Sequence, residues 1–157
     1  FKHLWLNWNP AGHEPPGIYD LPHFDIHYYM ISNAEREAMV NEKLDILPNA
    51  SYFPTNYISP RPGVPQMGNH WLDVTSPELN GQTFDQTFIM GSYDSKVIFY
   101  EPMITKAFLT GANNYERSIP QPAKFQKAGY YPTKMRVVKH DGVTEIILDG
   151  FVHRQAS

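Results

Sequence analysis

The sequence contains no cysteine. Disulfides, thiolate metal sites and cysteine nucleophiles are thereby excluded, and any metal must be held by nitrogen and oxygen donors. Charge is scarce as well. Asp, Glu, Lys and Arg make up 18% of the 157 residues, against about 25% in an average soluble domain. The 13 basic residues are scattered singly among 16 acidic ones, and no basic stripe offers a surface to nucleic acid or an anionic membrane. No apolar run approaches the ~18–20 residues of a membrane span. Walker, Rossmann and Gly-x-Ser-x-Gly patterns are missing.

Aromatic residues and proline are abundant instead: 3 Trp, 10 Tyr, 9 Phe and 14 Pro. Rings and β-branched residues pack well on a pleated surface, whereas proline interrupts helices, so this composition favours sheet over helical bundle. The length suits one domain spanning 1–157. The expected fold is mainly β, an antiparallel barrel or sandwich of cupin-like or calycin-like form, with one short helix at about 33–43.

Residues 9–22 carry four prolines and two glycines and form a loop. Residues 23–31 (HFDIHYYMI) read as a strand. Ser32 with Glu35 makes a capping box, which predicts the helix over 33–43. Residues 47–68, punctuated by proline and glycine, form a loop long enough to wrap around a site. A short strand follows at 69–74 and a helical turn at 76–79 with Pro77 in its first position. Strands at 84–90 and 96–104 are joined through 91–95, and 106–110 extends the second strand beyond a kink at Pro102. Asp141-Gly142 is the strongest hairpin signal in the chain and joins strands 133–140 and 143–149. The rings of Tyr52, Phe53, Tyr57 and Trp71 suit either a ligand shelf or the core.

The segment 23–30 carries the most chemistry. Strand alternation puts His23, Asp25, His27 and Tyr29 on one face and Phe24, Ile26, Tyr28 and Met30 on the other. Two imidazoles and a carboxylate on one face suit a first-row metal, although an exposed polar face on an edge strand has the same pattern. His70 shares a strand face with Leu72 and Val74, an apolar setting for a titratable ring. Glu101 falls with Val97 and Phe99 on an inward face, where a carboxylate pairs or coordinates. His13 precedes the strand in the Pro-rich loop and is placed to serve as a further ligand or a lid. His3, His140 and His153 are expected at the surface. His23-Phe24-Asp25 matches half of a facial iron triad, but no Arg follows His70 at about ten residues, as a 2-oxoglutarate oxygenase would want.

Several stretches carry a family resemblance: Trp8–Pro16 (WNPAGHEPP), Pro22–Met30 (PHFDIHYYM), Val64–Trp71 (VPQMGNHW) and Phe99–Thr105 (FYEPMIT). Through these the chain resembles an uncharacterised bacterial family of small domains of unknown function. That family is typified by a Thermus protein under the control of an extracytoplasmic sigma factor and its anti-sigma factor. The resemblance implies an extracytoplasmic or stress-related setting and no particular activity. A start at Phe1 rather than Met, and a glycosylation sequon at Asn49-Ala50-Ser51, point the same way.

Three functional readings follow. In the first, His23, His27 and His70 ligate a divalent transition metal (Zn, Fe or Cu), Glu101 or His13 completes the site, and Asp25 orients a ligand imidazole; the protein is then a metal-dependent hydrolase or oxidoreductase. In the second it is a non-catalytic secreted metal- or ligand-binding module with a closed site. In the third it is a structural β-domain whose histidines are incidental. A small-molecule ligand and a homo-oligomer fit these readings; nucleic acid and a membrane span do not.

Overall fold

Strand is the main regular structure among the described residues, and the paired strands run antiparallel. The computed structural model describes residues 1–111 and 114–157. The strands are β1 (His3–Asn9), β2 (His23–Tyr29), β3 (Tyr57–Ile58), β4 (Asn69–Asp73), β5 (Gln86–Tyr93) and β6 (Lys96–Thr105), then β7 (Tyr115–Ser118), β8 (Gly129–Tyr131), β9 (Lys134–His140), β10 (Val143–Asp149) and β11 (Val152–Arg154). Two short helices, α1 (Asn33–Glu37) and α2 (Lys106–Gly111), complete the regular structure with three 3₁₀ turns.

A six-stranded sheet runs in the order β1-β2-β6-β5-β4-β3, and a three-stranded sheet in the order β10-β9-β7. They pack as a sandwich. Ile26, Phe88, Met90, Tyr100 and Ile104 from the first meet Met135, Val137 and Leu148 from the second, with Ile119 just past β7, in one buried cluster. Among the described residues β1 and β3 remain free edges, so the sheet does not close, and the barrel alternative gives way to the sandwich. Phe53 stacks on Trp71 at 3.8 Å and 7°, and with Tyr57 both belong to this core; the loop aromatics are packing residues.

Local chemistry accounts for the departures from expectation. The capping box forms, with Ser32 Oγ accepting from the Glu35 N–H at 3.2 Å and Glu35 Oε2 accepting from the Ser32 N–H at 2.7 Å. The helix nevertheless ends at Glu37, because the Val40 N–H donates to the Tyr93 hydroxyl at 2.9 Å rather than continuing the helical ladder. Residues 106–111 turn into α2 instead of extending β6, with the Phe108 N–H donating to Thr105 Oγ1 at 3.1 Å as a cap. The connection between β5 and β6 is tighter than a five-residue loop. Only Asp94 and Ser95 turn, at φ of 46° and 62°, the backbone of a type I′ hairpin. Asp141 and Gly142 turn likewise, at 48° and 79°.

Pro102 does not kink β6, which continues to Thr105. It acts on the neighbouring ladder instead. Pairing of β2 with β6 is continuous at Asp25↔Met103 and again at Tyr28↔Tyr100, and skips the two positions between. Pro102, with no N–H to donate, stands at that gap. The unchanged register on both sides sets His27 opposite Glu101.

Candidate metal centre

The face of the large sheet turned away from the sandwich core builds a cavity of about 700 Å³. Its floor is Asn7 and Asn9 from β1, Asp25 and His27 from β2, Glu101 and Met103 from β6, Ile89 from β5, and His70 and Leu72 from β4. The Pro-rich loop supplies a wall through His13, Glu14, Pro15, Ile18 and Tyr19, and the long loop supplies another through Ile58, Pro60, Arg61, Pro62, Val64 and Met67. Both loops singled out by their proline content therefore fold around one space.

The ionisable groups form two clusters, each of two imidazoles and one carboxylate: His27, His70 and Glu101, and His13, His23 and Asp25. Within each cluster the ligand-capable atoms lie within 4.8 Å of one another. His23, expected beside His27 and His70, joins His13 instead. Strand rise explains the partition, because four residues of β2 separate positions 23 and 27 by roughly 13 Å. Asp25, expected to orient a ligand ring, is the carboxylate of the outer cluster.

In the inner cluster His27 Nε2 lies 3.3 Å from Glu101 Oε1, and His70 Nε2 lies 3.7 Å from Glu101 Oε2. His27 is 1% exposed and Glu101 2%, yet both His27 ring nitrogens and Glu101 Oε2 lack a hydrogen-bond partner. Burial, reinforced by the nearby His70, lowers the His27 imidazole to about 3, and burial lowers His70 also. Burial and then the Asp25 charge push the Glu101 carboxyl well above its ordinary value. Phe99 backs both rings edge-on, with centroids 4.8 Å from His27 and 5.4 Å from His70. It reaches them across Gly91, where a Cβ would collide with the Phe99 ring. Val97 does not share this face: β6 bulges between Val97 and Phe99, which turns Val97 into the sandwich core.

The outer cluster is organised by backbone carbonyls. The ring nitrogen His23 Nδ1 contacts the Leu21 carbonyl at 2.7 Å, and His13 Nδ1 contacts the Glu14 carbonyl at 2.7 Å. A carbonyl only accepts, so each Nδ1 carries the proton and donates it. Both Nε2 atoms then turn to Asp25, at 3.1 Å for His23 and 3.4 Å for His13. Burial raises the Asp25 carboxyl, but contacts from His13 and His23 outweigh it and hold the group well below the carboxylate range. The contact with Asp25 raises His13, against the opposing effect of burial. Gly12, at φ +72° and with its Cα against the Tyr19 carbonyl, lets the loop bend tightly enough to present His13.

Asn9 was not singled out in the sequence, yet its amide donates to Asp25 Oδ2 at 2.7 Å and lies 3.5 Å from His23 Nε2. Its signal was the alternation of β1 (HLWLNWN), whose Asn7 and Asn9 line the cavity while Leu4, Leu6 and Trp8 stay exposed. His3, expected at the surface, is half-buried, with Nδ1 3.0 Å from the Ile31 carbonyl and its ring stacked on Tyr29. His140 and His153 are exposed as expected.

Comparison with protein-family models, with curated proteins and with solved structures gave no match to this chain.

Proposed function

We propose that the protein binds a divalent transition metal through His27, His70 and Glu101, and that the metal serves chemistry on a small, largely apolar organic molecule held in the cavity. One observation carries this reading. A sealed imidazole with neither nitrogen paired, beside a sealed carboxyl with an unpaired oxygen, is costly unless a cation satisfies both. Two nitrogens and one oxygen suit Zn, Fe or Cu. Three protein donors would leave at least one position free, and all three donors line the cavity. When bound, the metal would supply Lewis acidity or redox chemistry according to its identity. The chain's own contribution is to fix the donors on neighbouring strands, to brace the rings with Phe99, and to surround a ligand's carbon skeleton with Ile18, Leu72, Ile89 and Met103. Asn7, with Oδ1 unpaired, Tyr19, with its hydroxyl unpaired, and Arg61 are polar groups placed to orient it.

Elemental analysis of the purified protein with His27→Ala and His70→Ala tests this. Wild type carries stoichiometric metal, and each variant loses one equivalent; equal metal in all three preparations ends the reading. The alternative, a closed binding module, is separated by adding azide to the cobalt-substituted protein, where an open position shifts the visible spectrum and a filled one does not. An extracytoplasmic setting belongs to the proposal through the family resemblance and the Asn49-Ala50-Ser51 sequon.

A further inference from the structure

We infer that His13, His23 and Asp25 form a second, separate metal site, whose ion pins the 10–22 loop to β2 as the wall of the cavity. The inference rests on the cavity reading above, but not on the inner cluster binding its own ion.

The donor geometry is the first argument. His13 and His23 each give the Nδ1 proton to a backbone carbonyl at 2.7 Å. A metal-bound histidine is typically held this way, with its second nitrogen tied down and the first left as a lone pair. Both lone pairs converge on Asp25, whose Oδ1 has no hydrogen-bond partner. At 3.1 Å from that oxygen, a neutral His23 Nε2 would set lone pair against lone pair. A positive charge between them relieves the contact: a proton on Nε2 makes an ion pair one ring at a time, whereas a single divalent cation serves both rings and the carboxylate together. His23 is 0% exposed, so water cannot screen the contact.

Position is the second argument. Asp25 and His27 are two residues apart on β2, roughly 7 Å by strand rise. The two clusters share no donor, so their ions would occupy distinct sites rather than form the carboxylate-bridged pair of a two-metal hydrolase. Only His13 among the three outer donors comes from outside β2. It is also the most exposed, at 37% of its side chain. Filling this site therefore ties a loop that also lines the cavity to the sheet, adding a second anchor to the one made by buried Tyr19. The two clusters divide the work: the inner one faces the ligand, and the outer one holds the enclosure.

The test is titration of chelator-stripped full-length protein with Co(II), followed by visible absorption and by elemental analysis after desalting. Wild type takes up two equivalents. His13→Ala, a change at an exposed position that spares the fold, takes up one, as does His23→Gln if circular dichroism shows it folded. His27→Ala also keeps one, and the His13→Ala/His27→Ala double variant keeps none. Chymotrypsin cleavage after Tyr19, within 10–22, is slowed several-fold by Co(II) in wild type and in His27→Ala, but not in His13→Ala. Saturation at one equivalent that vanishes with His27→Ala and survives His13→Ala overturns this inference and leaves the inner site standing. One equivalent lost with His13→Ala alone does the reverse. Loop cleavage in wild type that is indifferent to Co(II) overturns the pinning.

Discussion

His27 and Glu101 face one another across β2 and β6 with Nε2 and Oε1 3.3 Å apart, and both His27 ring nitrogens and the other carboxyl oxygen, Glu101 Oε2, have no hydrogen-bond partner. The arrangement is a cost to the metal-free fold. Replacing Glu101 with Gln removes a carboxylate donor but not the volume. Glu101→Gln is expected to weaken metal binding at the inner cluster by more than the roughly 10–100-fold typical of outer partners. In metal-free protein at pH 8 it should melt no lower than wild type, because a buried carboxyl has been replaced by a neutral amide. Isothermal titration and thermal melting check the two halves separately. A variant that binds metal normally would remove Glu101 from the site.

Gly91 is the backbone position on which the inner rings depend. Its missing Cβ leaves room for Phe99, which in turn backs His27 and His70. Gly91→Ala drives a methyl into that ring and should destabilise by about 1–3 kcal/mol, the usual range for an overpacked core. It should also loosen metal at the inner cluster while leaving the outer one untouched. Pairing it with Phe99→Leu relieves the clash, so the double variant recovers stability in urea melts. Additive losses in the double variant would contradict the contact.

The sequence made some of this legible and concealed the rest for identifiable reasons. Alternation along 23–30 sorted His23, Asp25 and His27 from Ile26 and Tyr28 correctly, since a strand has no freedom to do otherwise. The proline-rich loops were recognisable as material around a site. Pattern gave no distance along the strand, so His23 and His27 looked like members of one cluster although strand rise parts them. β1 was missed because its hydrophobic residues point the unexpected way. Leu4, Leu6 and Trp8 are exposed, and Asn7 and Asn9 face the cavity, so a reading by hydrophobicity assigns the faces in reverse. The parity of Val97 was lost to a bulge that no residue type announces.

The β5–β6 turn was also read too long, and its backbone makes a prediction. Ser95 sits at φ 62°, a left-handed conformation that disfavours any residue with a Cβ. Ser95→Gly keeps the backbone N–H that donates to the Ile46 carbonyl at 2.8 Å and removes the steric penalty. Relief of a left-handed penalty of about 1–2 kcal/mol exceeds the entropic cost of glycine, about 0.5–1 kcal/mol, so a small net gain is expected, with metal stoichiometry unchanged. Chemical denaturation measures it. A loss of stability would mean that the serine side chain is needed by the turn.

Protonation offers a test of the buried pair without any metal. His27 is lowered from 6.5 to about 3 in the folded chain. Below pH 6.5 the unfolded chain therefore takes a proton that the folded chain refuses, and stability falls with pH, by about 1.4 kcal/mol per unit for each such imidazole. Glu101 works in the opposite direction. Its raised value means that the folded chain keeps a proton the unfolded chain releases, so stability grows as pH falls toward the ordinary carboxylate range. The two effects partly cancel in wild type. In Glu101→Gln only the imidazole effect survives, and chelator-treated variant protein should lose stability between pH 6.5 and 5 more steeply than wild type, by about 1.4 kcal/mol per unit. Comparing the two proteins cancels every other titrating group. Urea melts at half-unit intervals give both slopes, and parallel curves would mean that Glu101 holds no extra proton in the fold.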